Sequence, residues 1–208
     1  MSFKITLIVG SPRKNKSCNF LIDHAIEGIK SISDEININK VFITDFKIIP
    51  CTGCDQCLRS PYECPLSEDD DTKKLEELIL DSDAIIIAAP NYFGSVSSQI
   101  KAFIDRSRPW KMKNYLLKNV LFTPMASTGL RNTGEGVISD LINFALIQGM
   151  ICVGALGTPV IEENIAITSL QKYNLKEFIG KDEIDELAGI IAKNQGKRVA
   201  ELLLKIKK

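Results

Sequence analysis

The chain has 208 residues, and its 26 Lys and Arg are balanced by 26 Asp and Glu, so no net charge draws it to nucleic acid or an anionic membrane. Hydrophobic residues at 45% and charged residues at 25% are ordinary for a globular protein. The length suits a single domain with a sizeable core. No run approaches the ~20 apolar residues that span a bilayer. The first apolar run, Ile5 to Val9, is stopped by Gly10-Ser11-Pro12 and so does not read as a signal peptide. The expectation is a cytoplasmic protein with neither a nucleic-acid nor a membrane partner.

Lys4–Gly10 reads as a buried parallel strand. From Ser17, read as the N-cap, Phe20, Leu21, Ala25, Ile26 and Ile29 share one helical face. Ile36–Ile43, rich in β-branched residues, reads as the second strand. Residues 44–71 form a long irregular stretch with an acidic patch at Glu68–Asp71, and loops of that length are usually functional. Thr72–Leu80 is helical. Asp83–Ala89 is apolar throughout, a strand covered on both faces. Ser95–Ser107 is a helix, Asn119–Met125 a strand, Gly134–Gln148 a helix and Met150–Leu156 a fifth strand. Residues 158–182 carry no assignable pattern. Asp182–Ile206 is a closing helix with a solvated basic side and a possible break near Gly196. Five alternations predict an α/β fold, a doubly wound five-stranded parallel sheet of order 2-1-3-4-5, with the 44–71 loop inserted after strand 2.

The first strand–helix junction is Gly10-Ser11-Pro12-Arg13-Lys14-Asn15-Lys16-Ser17. Backbone N–H groups at a helix start suit a phosphate. Ser11, Asn15 and Ser17 add donors and Arg13 a charge. Neither the Walker A pattern nor the GxGxxG dinucleotide fingerprint is present. A mononucleotide phosphate site therefore stays open beside a plain polar turn.

Of six cysteines, Cys51, Cys54, Cys57 and Cys64 fall in one short run. In a reducing compartment such a run reads as metal or redox chemistry rather than a disulfide framework. The x2, x2 spacing is that of three ligands in bacterial ferredoxins, and Pro65 follows the last cysteine as Pro often does there. Gly53 lets the backbone turn tightly. Structural zinc usually takes two separated Cys-x2-Cys pairs, which fits less well. Free or redox-switching thiols are the third reading. Cys18 reads as a small buried residue, Cys152 as core and His24 as surface. Asp69–Asp71 could hold a cation but read first as a solvated turn favouring a helix start. Trp110 and Tyr115 suit a core, interface or flavin surface. Asp105 and Arg106 could pair with each other or across a dimer.

The loop GSPRKNKS resembles the phosphate loop of the NADPH-dependent FMN reductase family. Pro90-Asn91-Tyr92-Phe93-Gly94, followed by Ser97, Lys101, Phe103, Asp105 and Arg106, resembles that family's second motif. Lys16 stands where the family often has Gly. With the cysteine run, the resemblance narrows to the iron–sulfur flavoproteins. It implies a flavodoxin-like fold holding FMN and a [4Fe-4S] cluster on Cys51, Cys54, Cys57 and Cys64. The flavin contacts it implies are Ser11, Arg13, Asn15, Ser17, Pro90–Gly94 and the loop Ser127-Thr128-Gly129. Tyr92 and Phe93 offer stacking surface, Asn91 an amide and Gly94 room for backbone donors. No side chain is required as acid or base, since the redox chemistry belongs to the cofactors. The resemblance further implies a homodimer or homotetramer taking electrons from ferredoxin to oxygen, peroxide or a quinone. An NAD(P)H-dependent flavin, quinone or nitro-compound reductase is the alternative, with NAD(P)H as donor. A zinc or thiol redox sensor on the same fold is a third.

Overall fold

The computed structural model describes residues 3–128, 134–154, 168–169 and 186–206. Strands β1 (Lys4–Val9), β2 (Asn37–Phe42), β3 (Ala84–Pro90), β4 (Leu121–Ser127) and β5 (Ile151–Cys152) lie in the order β2-β1-β3-β4-β5, all neighbours parallel. The expected doubly wound topology is the one found. A two-residue strand, β6 (Thr168–Ser169), pairs parallel with the end of β4, placing part of the unassigned 158–182 stretch beside the sheet.

Period-two alternation sorts the strands' side chains onto two cores. Ile5, Leu7 and Val9 of β1, with Ala84, Ile86 and Ala88 of β3, face helices α1 (Ser17–Lys30) and α6 (Glu186–Ile206). Ile8, Ile85, Ile87 and Ala89 face the other way. They meet Leu75 and Ile79 of α2 (Thr72–Leu80), Ile100 and Phe103 of α3 (Ser98–Arg106), Trp110 of α4 (Arg108–Met112), and Leu141 and Phe144 of α5 (Glu135–Ile147). Phe103 sits 5.7 Å from Trp110 and 5.6 Å from Phe144, ring centre to ring centre. Trp110 thus takes the core role among those open to it.

Several local expectations are corrected. Helix α6 runs unbroken through Gly196, which serves close packing instead. A Cβ at Gly196 would stand 2.0 Å from the Ala25 carbonyl oxygen, and one at Gly28 1.9 Å from that of Lys193. Only bare backbone lets α1 and α6 approach so closely. His24 is half-covered rather than on open surface, because its ring packs edge-on against Phe20 at 4.4 Å beneath α6. The fifth strand is shorter than the Met150–Leu156 expected. After Val153 donates to Phe122, its carbonyl is taken by the side chains of Gln195 (2.7 Å) and Thr123 (3.2 Å), and the ladder ends. Cys152 is exposed, not core; among the described residues β5 pairs with β4 alone.

Candidate functional site

The loops following β1, β3 and β4 emerge side by side at the carboxyl edge of the sheet, where open α/β sheets bind their ligands. The Gly10 N–H donates to the Ala88 carbonyl at 2.8 Å, pinning the first loop to the end of β3. Ser11 is buried, and its Oγ accepts the Arg13 N–H at 3.1 Å; Pro12 to Asn15 lie exposed. Helix α1 has no side-chain cap and no acidic residue in its first turn. Its positive dipole end suits an external anion. Ser17 is not the cap expected: Lys16 is the extended residue at φ −129°, and Ser17 has already turned into the helix. Behind this loop Cys18 is buried as expected. Burial pushes its thiol up to about 12, against a hydrogen bond with Ser127 and the charge of Arg13.

The second loop is built on β3 and tied to both neighbours. The Asn91 N–H donates to the Ser127 carbonyl at 2.7 Å, and Asn91 Nδ2 donates to Thr128 Oγ1 at 3.5 Å. Asn91 Oδ1 is buried and finds no partner among the described residues. Tyr92 and Ser95 close a tight turn through Phe93 (φ 52°) and Gly94 (φ 85°), which leaves the Phe93 ring wholly exposed. Ser95 Oγ donates to Asp140 at 2.5 Å. Ser97 donates to the Gly10 carbonyl at 2.8 Å and accepts the Ile100 N–H at 3.4 Å. One serine thus caps α3 and fixes the first loop to the second. Ser11, Arg13, Asn15, Ser17, Pro90–Gly94, Ser127 and Thr128 stand on these three adjoining loops. Gly129 lies outside the described residues.

The cysteine loop leaves the same sheet edge after β2. Cys51 and Cys54 are exposed, Cys57 is buried and Cys64 is half-buried; all four are free thiols. Gly53 (φ 68°) and Asp55 (φ 58°), both left-handed, curl the chain between them, and the Gly53 N–H donates to Cys51 Sγ at 3.4 Å. Burial raises the Cys57 thiol. Arg108 opposes the rise, while Cys64 and Cys51 add to it. Among the described residues, no three Cys, His, Asp or Glu side chains converge closely enough to hold a metal ion.

The base of that loop holds two residues that read differently from the sequence. Arg106 and Asp70 form an ion pair at 2.5 Å with side chains 1% and 0% exposed. Arg106 also donates to the Ile49 carbonyl at 2.6 Å and to Ser67 Oγ at 3.1 Å. Asp70 accepts the Ile49 N–H and the Thr72 N–H, each at 2.9 Å. The pair thus clips together the strands of chain entering and leaving the cysteine run. This corrects two expectations: Asp70 is not part of a solvated turn, and Arg106 does not pair with Asp105, which is held by Lys101 at 2.5 Å. A signal was available, since Arg106 falls three residues after Phe103 and six after Ile100, on the inward face of α3. Next to the clip, Tyr62, Cys64, Glu76, Arg106 and Lys113 line an open groove of about 700 Å³.

Uncapped helix, strand-end loops and cysteine loop define a flavodoxin-like redox protein. The NADPH-dependent FMN reductase family model matches residues 3–160. An iron–sulfur flavoprotein of Archaeoglobus fulgidus is 36% identical over 200 residues, covering 96% of this chain and 94% of that protein. Another, of Methanocaldococcus jannaschii, is 33% identical over 208 residues, covering 99% and 100%. Among solved structures, a WrbA-like flavodoxin from Agrobacterium tumefaciens superposes with a TM-score of 0.59 at 16% identity, covering 99% of each chain. An NADH:FMN oxidoreductase superposes at 0.62 with 18% identity, covering 94% of this chain and 89% of that one. These two establish the fold alone. The chain belongs to the NADPH-dependent FMN reductase family, in its iron–sulfur flavoprotein branch. It is a flavin-dependent oxidoreductase. Among the described residues no helix is long and apolar enough to cross a membrane.

Proposed function

We propose that this protein passes electrons between a [4Fe-4S] cluster on Cys51, Cys54, Cys57 and Cys64 and FMN bound at the carboxyl ends of β1, β3 and β4. The donor is a ferredoxin-like one-electron carrier and the acceptor a small molecule such as oxygen, peroxide or a quinone. The observation that carries the reading is the placement of four free thiols on a loop leaving the same sheet edge as an uncapped helix start. When bound, the cluster carries single electrons and the flavin one or two.

The donor types of these residues suit both groups. Ser11, Arg13, Asn15 and Ser17, with the N–H groups of α1, suit the phosphate. Asn91 Oδ1 is a buried acceptor with no donor among the described residues, and the exposed Phe93 ring offers an apolar face in the same loop. A flat ring with a polar N–H edge satisfies both needs. Pro90, Tyr92, Gly94, Ser127 and Thr128 adjoin them on the same loops, and Gly129 joins the proposed contacts on the sequence alone. Four thiolates on a curled loop are the donor set of an iron–sulfur cluster, and the Gly53 N–H on Cys51 Sγ is a bond of the kind that steadies one. Leu146, Ile147 and Ile151, apolar and exposed at the β5 edge, suit burial in a homodimer or homotetramer.

The test is anaerobic turnover of purified protein with either reduced ferredoxin or NADPH. Rapid flavin reduction by ferredoxin and slow reduction by NADPH support the proposal. The reverse favours a pyridine-nucleotide-dependent flavin reductase, which the family description itself suggests.

A further inference from the structure

The cysteine run is gripped by one short helix. Helix α4 packs on the single turn Gln56–Leu58 that carries Cys57. Its first residue, Arg108, donates from Nη1 to Asp55 Oδ1 at 2.7 Å. Asp55 lies between Cys54 and Cys57 and holds a left-handed backbone, φ 58°. Beyond the helix end, Lys113 meets Glu63, the neighbour of Cys64, at 3.5 Å. Arg106 is buried against Asp70 and adds no net charge. Arg108 is half-exposed, and its pairing with Asp55 keeps the guanidinium beside the turn that carries Cys57.

We propose that Arg108 tunes the cluster site electrostatically, favouring its reduced state, and that Asp55 is the counter-charge that holds the guanidinium and partly offsets it. The inference rests on the cluster reading above. When a one-electron donor such as dithionite reduces the cluster, one electron enters, one negative charge is added, and no bond or proton is made or lost. A fixed positive charge beside the loop stabilises that product more than the starting state. Arg108 is a positioning and tuning residue rather than a ligand.

The test is an anaerobic potentiometric titration of the holoprotein, following the reduced cluster by EPR, with iron per chain measured alongside. R108Q should lower the one-electron reduction equilibrium constant on the order of three- to tenfold, tenfold being 59 mV for one electron. D55N should raise it by a similar factor. R108K should stay near the wild type, and the double variant R108Q/D55N should return toward it. Salt at 1 M should shrink every difference. A pair that merely braces the loop predicts the same direction of change for R108Q and D55N, since each breaks the same bond. That result, or an unchanged potential in R108Q, overturns the proposal. If R108Q loads no iron, D55N decides: a raised potential supports the inference and an unchanged or lowered one overturns it. Wild-type protein without iron or sulfide would instead sink the cluster reading itself.

Discussion

Asp70 and Arg106, 36 residues apart in the chain, meet as a fully buried ion pair that closes the base of the cysteine loop. The pair holds Ile49 on one side and Ser67 on the other. The loop's ends are therefore fixed by protein bonds alone, while Cys51 and Cys54 stay exposed between them.

Removing one partner of such a pair leaves an uncompensated charge in the core. Arg106→Leu should destabilise the fold by about 3–5 kcal/mol. Adding Asp70→Asn to it should recover part of that loss, since the orphaned carboxylate is gone. Urea denaturation of the single and double variants checks both statements.

Acid should loosen the same clip. Burial alone would raise the Asp70 carboxyl, but the Ile49 N–H, Thr72 and the Arg106 guanidinium outweigh it and hold the group below its usual range. The native value thus lies under the unfolded one, about 3.9. Its contribution is complete above that value and lost as pH falls through the depressed native one. Stability measured from pH 6 down to pH 3 should fall at the acid end in the wild type and less steeply in Asp70→Asn.

Gly196→Ala should force α1 and α6 apart, because the new methyl would collide with the Ala25 carbonyl rather than with a movable side chain. A loss of about 2 kcal/mol or more is expected, read as a lowered melting temperature. A variant as stable as the wild type would mean that the helices pack less closely than described.

Cys57→Ala should abolish cluster assembly while FMN remains bound, because no described bond joins the Cys57 turn to the strand-end loops. Iron analysis and the flavin absorbance of the purified variant test this. Joint loss of iron and flavin would show that the two sites fold as one unit.

The sheet was readable because runs such as Ala84–Pro90 are apolar at every position and can only be buried on both faces. The candidate site was readable where one loop carries its own chemistry, as in Gly10–Ser17 and Cys51–Cys64. Contacts made across the chain were not. Asp70 sits in an acidic run that, by composition, looks solvated, and only a guanidinium from a distant helix accounts for its burial. Gly196 looked like a helix breaker because its purpose, the approach of α1, lies far off in sequence. Ser17 looked like a cap because its residue type is right, but the extended backbone falls one position earlier.

Iron, acid-labile sulfide and FMN per chain, measured in protein purified without oxygen, decide whether the loop carries a cluster. A cluster beside a flavin requires about four iron, about four sulfide and one flavin. Flavin with neither iron nor sulfide would contradict it, leaving an FMN-binding sheet protein whose four loop cysteines serve another chemistry.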